Sequence, residues 1–272
     1  MRAERPAPGD GKAARAAREY WDGLAEAYQD ETVISCSQVH YGPLVPGERR
    51  LRLLPPDLDG RRCLEVGCGA AQNAICLARR GARCTAVDLS GAQLQSARRL
   101  AQKHHVAIDF VQADMQALPL APTPLFDLVL SAYALPFVAA PQDCIAAMAA
   151  RLRPGGTLIL STAHPLSTSE WIDVDGQAGI FLRDYFHPPA DQRRRGAGRS
   201  RCRPVPVSTV FAWLRAAGLQ VDALLEPPAE PVRRYTLGQL CHRVPYWSRA
   251  WLALAEELAR VPVVAIVRAR KP

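Results

Sequence analysis

The stretch Arg62–Ser90, RCLEVGCGAAQNAICLARRGARCTAVDLS, decides the fold. Cys63-Leu64-Glu65-Val66 is a short apolar run of the kind that forms a buried strand, and it breaks into Gly67-Cys68-Gly69. An Ala-rich helical pattern follows from Ala70 to Arg80, with Gly81 placed to close it. A second apolar run, Cys84 to Val87, ends on Asp88. The unit is strand, glycine turn, helix, strand, with an acid about twenty residues after the turn, the layout of a dinucleotide-type site. Glycine permits the turn and the close approach of a ligand, and N–H groups at the helix start favour an anionic group. An acid at the tip of the second strand can accept from two ribose hydroxyls.

A Gly-x-Gly turn also serves simply to let a strand meet a helix closely. The third glycine of the NAD pattern is missing, since the run is Gly67, Gly69, Ala70, Ala71. Glu65, two residues before the first glycine, and E-V-G-C-G with V-D-L-S after it resemble the cofactor site of class I S-adenosylmethionine (SAM) methyltransferases. The joint match favours this family over a nicotinamide dehydrogenase. The resemblance implies that Glu65, Gly67, Cys68 and Gly69 hold the amino-acid end of SAM, and that Asp88, followed by Leu89, holds the ribose. Gln72 or Asn73, at the helix start, then meets the methionine carboxylate.

A chain of 272 residues can bury a full core, and one domain with insertions is the simplest division. Its apolar fraction of 49% and charged fraction of 22% are those of a soluble globular protein. The N-terminus, MRAERPAPGDGKAARAAREY, is charged and lacks the apolar centre of a signal peptide, and no run reaches membrane-spanning length. The eight cysteines lie mostly in apolar runs, as at Cys63, Cys76, Cys84 and Cys144, and form no C-x-x-C pair. Reduced buried thiols in a cytoplasmic protein are expected, with neither a disulfide framework nor a metal site. The net charge of +8 raises a nucleic-acid partner. Six arginines, however, crowd into residues 193–203 with two glycines and no interleaved aromatics, which reads as a solvated loop.

In chain order, residues 1–10 read as a disordered tail, and residues 11–55 as an N-terminal helical cap. Within the cap, Gly11 to Glu31 is helical, with Tyr20, Leu24 and Tyr28 on one face. These aromatics either pack the helix onto the core or, as W-D-x-x-A-x-x-Y resembles the family's first helix, bring Tyr28 to the methionine end of SAM. A Gly/Pro-rich loop with His40 and Tyr41 precedes a short helix, Glu48 to Leu54. His40 reads as a structural residue or a substrate contact.

The SAM-binding domain is expected over 56–272. Gly91 to Lys103 is a helix and Ile108 to Val111 a third strand, followed by Asp114 and Met115. The family places an adenine-binding acid and a ring-covering residue there, although an Asp after a strand is also a common helix cap. A fourth strand, Leu125 to Leu130, leads to Ser131, Ala132 and Tyr133, where the resemblance brings SAM to its substrate. Neither Asn-Pro-Pro-Tyr nor a nucleophilic Cys follows, which lowers the nucleic-acid reading. Pro141 to Arg151 is a helix, and L-R-P-G-G-T-L-I-L-S (152–161) resembles the family's L-x-P-G-G turn and fifth strand. His164 then stands at a strand's C-terminal edge, where open parallel sheets keep their ligands.

Two insertions interrupt this pattern. Residues 166–205, with Trp171 and Tyr185, read as a flap over the substrate or as an oligomer contact, and residues 229–260 carry a helix from Trp247 to Arg260. Between them lie a helix from Val207 and a sixth strand, Gln220 to Leu225; residues 261–270 form the last strand. The expected fold is α/β, a Rossmann-like doubly wound seven-stranded sheet whose last strand the resemblance makes antiparallel.

Methyl transfer is a direct displacement that needs a positioned nucleophile and little water, without a metal or a covalent enzyme intermediate. His164, His40, Tyr133 and Tyr20 are the candidates for orienting or deprotonating it. Tyr41, Trp171 and Tyr185 are candidate substrate contacts. The resemblance is greatest to the ubiquinone/menaquinone-biosynthesis branch, which implies a small aromatic or heterocyclic acceptor: an indole, a phenol or a peptide-derived secondary metabolite. S-adenosylhomocysteine is then the product. A tRNA or nucleic-acid methyltransferase and a non-catalytic SAM-fold partner subunit are the alternatives. An aromatic first helix and an exposed flap could also support a homodimer.

Overall fold

The structure, a computed structural model, describes residues 12–123, 125–188, 194–195, 198–199 and 202–272. The tail 1–10 and residues 193, 196–197 and 200–201 of the arginine-rich loop lie outside them. The main sheet has seven strands in the spatial order Gln220–Leu225, Val264–Arg270, Leu152–Ala163, Phe126–Ala132, Arg62–Val66, Arg83–Asp88, Ile108–Gln112. Val264–Arg270 runs antiparallel to both neighbours, and the remaining pairings, from Leu152–Ala163 across to Ile108–Gln112, are parallel.

The sheet is covered on both faces because its strands carry apolar side chains at successive positions, which the pleat sends to opposite sides. Leu128 and Leu130 enter one core with Cys63 and Ile159, while Val129 joins the other with Leu64, Val66, Leu158 and Leu160. The helices Gln72–Ala78 and Gly91–Lys103 close the first core through Ala74, Leu77, Leu94 and Ala97. Pro141–Arg151 and Val207–Ala216 close the second through Ile145, Met148, Val210 and Leu214.

The chain leaves Arg62–Val66 towards one edge of the sheet, through Arg83–Asp88 to Ile108–Gln112, then returns to fill the other side with Phe126–Ala132. The reversal puts the carboxyl ends of Arg62–Val66 and Phe126–Ala132 side by side, where such sheets open a crevice. Gly67 shows how close they come. Its φ is +70°, and a Cβ on it would lie 2.4 Å from the Cβ of Ala134.

Two expectations from the insertions change. The segment expected as a helix from Trp247 to Arg260 begins as a strand, Tyr246–Ser248, which pairs antiparallel with Thr32–Ile34. Two short helices follow, Arg249–Ala253 and Ala255–Leu258. A distant partner thus overrides the local helical pattern, and the Ser248 side chain, accepting from Trp251 N, starts the helix two residues later than the aromatics suggest. Residues 166–188 do contain a hairpin, Glu170–Val174 with Gln177–Phe181, turned through Asp175 and Gly176 at φ +53° and +76°. It stands out from the body, with Ile172 40% and Phe181 44% exposed.

Candidate active site

A cavity of about 540 Å³ opens at the crevice. Its floor is built by strand tips. Glu65, at the end of Arg62–Val66, is 3% exposed, and its Oε2 accepts from the Ala74 N–H at 2.8 Å. Burial pushes its carboxyl up to about 8, against the opposing pull of the Ala74 and Asn73 hydrogen bonds. Asp88 ends the next strand; Oδ2 accepts from Gly69 N at 2.8 Å and Oδ1 from Ser90 N at 2.9 Å. Burial raises its pKa too, and the backbone donors act against it. Asp114 follows Ile108–Gln112, and its two oxygens accept from the backbone and side-chain nitrogens of Gln116. Met115, Leu89, Gly67, Cys68 and Gly69 complete this side. Burial raises the Cys68 thiol, so it offers no thiolate.

The roof is aromatic. The helix Lys12–Glu31 contributes Tyr20, Trp21 and Tyr28; loops and the inserted strand contribute His40, Tyr133, Phe137 and Tyr246. Rings meet edge to face, Trp21 with Phe137 at 5.1 Å and His40 with Tyr246 at 5.1 Å between centroids. The Tyr28 and Tyr246 hydroxyls share a hydrogen bond. Tyr133 adopts the left-handed region at φ +60°, held there by its N–H bonding Ser161 O and Oγ at 3.0 and 3.1 Å. Burial lowers the His40 imidazole to about 3, so the ring is neutral near pH 7, and its Nδ1 has no partner among the described residues.

A polar chain closes the wall beside the first helix. Gln72 Nε2 donates to Gln29 Oε1, and Gln29 Nε2 donates to Gln93 Oε1, each at 2.9 Å. The first helix is also fastened by Asp22, which accepts from Ser90 Oγ and the Ala92 N–H.

Several expected residues stand elsewhere. Asn73 does not line the cavity; its amide clamps the His40 backbone, accepting from N at 2.9 Å and donating to O at 3.2 Å. Ser131 is fully buried off the wall. His164 is not brought to the cavity either. Its Nε2 meets Glu226 Oε1 at 2.9 Å and its Nδ1 accepts from Leu166 N, capping the turn Pro165–Thr168. Tyr41 is fully buried with its hydroxyl donating to Glu48. Trp171 and Tyr185 sit on and beside the protruding hairpin, away from the wall. Trp21, Phe137, Tyr246, Gln29, Gln93, Gln116 and Arg203 are among the wall residues that the local sequence pattern does not mark.

The donor set fits SAM. Three carboxyl groups face one cavity, suited to ribose hydroxyls, an ammonium group and an adenine amine. In front of Gly69 there is open room, since an added Cβ would meet only Gln93 Oε1, at 3.8 Å. A family model described as a methyltransferase domain matches residues 64–160. The ubiquinone biosynthesis O-methyltransferase of Nitrosococcus oceani is 31% identical over 67% of this chain and 73% of that protein. The chain belongs to the class I SAM-dependent methyltransferases. The same-named enzyme of Alkalilimnicola ehrlichii is 40% identical over 107 residues, so the match spans 39% of this chain and under half, 43%, of that relative. A SAM-dependent methyltransferase structure from Mesorhizobium loti superposes with a TM-score of 0.64 at 25% identity, covering 82% of this chain and 96% of that one.

Proposed function

We propose that this methyltransferase moves the methyl group of SAM onto a small aromatic or heterocyclic acceptor, and that the acceptor is an indole, phenolic or peptide-derived secondary metabolite. The observation that carries the reading is the division of one cavity into an acidic floor and an aromatic roof. The floor suits the polar cofactor. The roof suits a flat, apolar partner, which rings arranged edge to face bind with little loss of conformational freedom. The relatives named for O-methylation in ubiquinone biosynthesis support a ring-bearing acceptor.

Bound to the floor, SAM supplies an electrophilic sulfonium methyl. The protein's work is then to position and to dry. Asp88 and Asp114 are pre-set by backbone donors, so they need no rearrangement to accept hydrogen bonds. The helix Lys12–Glu31 lays its aromatics over the cavity and excludes water. His40, neutral and clamped by Asn73, orients the acceptor's O–H or N–H as a hydrogen-bonding partner. The linked hydroxyls of Tyr28 and Tyr246 offer a second such partner at the roof.

Calorimetry of SAM, S-adenosylhomocysteine and NADH against wild type and Asp88→Ala tests the cofactor, and a screen of indoles and phenols with SAM tests the acceptor. Micromolar SAM binding lost in Asp88→Ala, with turnover of an aromatic acceptor, supports the reading. Binding of NADH in place of SAM, or turnover confined to RNA, overturns it.

A further inference from the structure

A second concavity, of about 600 Å³, adjoins the first: Gln29, Ile34, Ala70 and Gln72 contribute to both. Its lining is different in kind. Arg79, Arg99, Lys103 and His104 face it, with Ser35, Ser37 and Ser96 between them, and no Asp or Glu lines it among the described residues. Arg79 caps the helix Gln72–Ala78 at the end opposite Gln72. Seven residues of helix at 1.5 Å each set the cationic end about 10 Å from the shared wall.

Cations near a helix C-terminus often serve only to complement its dipole, and Arg79 and Lys103 both occupy such places. Arg99 does not fit that account. Its Nη2 donates to Ser96 Oγ at 3.1 Å, so the guanidinium is turned back along its own helix, away from the terminal carbonyls. Arg79 spends one donor on Cys36 O, at 3.2 Å. His104 senses the local potential: burial first, then Arg79, Lys103 and His105, lower its pKa.

We propose that this cleft binds an anionic oxygen group, a phosphate or carboxylate, carried on a tail of the methyl acceptor whose ring lies under the aromatic roof. Guanidinium groups match such oxygens in planar, paired hydrogen bonds. Gln29 and Gln72, hydrogen-bonded to each other, form the partition that the two spaces share, and the tail crosses there by displacing that one contact. This inference rests on the function proposed above, and it narrows the acceptor to one whose anion reaches about 10 Å beyond the shared wall.

The test uses the full chain saturated with S-adenosylhomocysteine, whose own binding is measured first, so that loss of the cofactor reading is seen separately. Inorganic phosphate and 6-phenylhexyl phosphate are titrated by calorimetry, with the His104 ring followed by NMR. The expected result has three parts. Phenylhexyl phosphate binds more tightly than phosphate. Arg79→Gln/Arg99→Gln weakens it about tenfold or more, and so does Arg99→Gln/Lys103→Gln, which keeps the Arg79–Cys36 bond. The His104 pKa rises when the anion neutralises its neighbours.

A control pair on other surfaces, Arg215→Gln/Arg249→Gln, is expected to leave affinity within about twofold. Equal loss in the control pair, or a silent His104, overturns the site in favour of diffuse attraction. Equal affinity for the two phosphates overturns the acceptor tail in favour of a free-ion site. Tight, steeply salt-dependent binding of a short single-stranded RNA, lost in the Arg79/Arg99 variant, overturns the small-molecule assignment.

Discussion

The floor and the roof of the cavity are built by different means. The floor carboxyl groups stand at or just past the ends of strands of one sheet, and backbone N–H groups of the following turns and helix starts hold them: Ala74 for Glu65, Gly69 and Ser90 for Asp88, Gln116 for Asp114. The roof joins side chains from the first helix, two loops and an inserted strand, and ring edges and one hydroxyl pair connect them. A sheet edge is stiff and shared, so the floor can be kept while the roof is rebuilt for another acceptor. On the proposed function, affinity for the cofactor and choice of the acceptor reside in separable parts of the molecule.

The sharpest way to break this division is Asp88→Ala. It removes the carboxylate that the proposal gives to the ribose and the anchor of Gly69 and Ser90 together, and calorimetry should show cofactor affinity falling about a hundredfold, about 2.7 kcal/mol. Trp21→Ala is the matching change to the roof. Acceptor KM should rise about tenfold while cofactor Kd stays within about twofold. If the cofactor were lost as well, floor and roof would be one unit.

Glu65→Gln asks what the floor costs the fold. The folded carboxyl titrates at about 8, above its ordinary 4.5, so the folded state holds this proton more tightly than the unfolded chain. Stability is therefore greatest below about pH 4.5 for this group and is lost as pH rises towards 8, by about 3 to 5 kcal/mol in all. Urea midpoints at pH 5 and pH 9 should differ less in Glu65→Gln than in wild type, with the variant the more stable at pH 9 and the weaker binder of cofactor.

His164→Gln should have the smallest effect on turnover. Removing the Glu226 and Leu166 contacts should lower stability by about 1 to 2 kcal/mol, and kcat/KM should not change. A large fall in kcat, with the fold intact, would return His164 to the reacting centre.

This contrast also explains what can be read from the residues in order. Glu65, Gly67, Gly69, Asp88 and Asp114 stand at strand ends whose apolar runs are local signals, and a sheet of this order brings strand ends together. Tyr246 cannot be read that way. It becomes a strand residue because Thr32–Ile34, more than two hundred positions earlier, pairs with it. Trp171 and Tyr185 look like roof material by composition, yet their hairpin closes on itself through Asp175-Gly176 and points outward. His164 is correctly placed at a strand's end by its sequence. Its ring is then claimed by Glu226, a contact that no local pattern announces.

The antiparallel strand Val264–Arg270 carries a consequence for how the molecule is made. It fits between Leu152–Ala163 and Gln220–Leu225, both of which precede it, the former by roughly a hundred residues. Until it arrives, Leu158 and Leu160 lie on a strand with one open side, next to an unfilled slot. Gln220–Leu225 joins the sheet only through it, so before it arrives the open edge of Leu152–Ala163 is where self-association competes with completion. Slow synthesis or high concentration would weigh on this protein at that step.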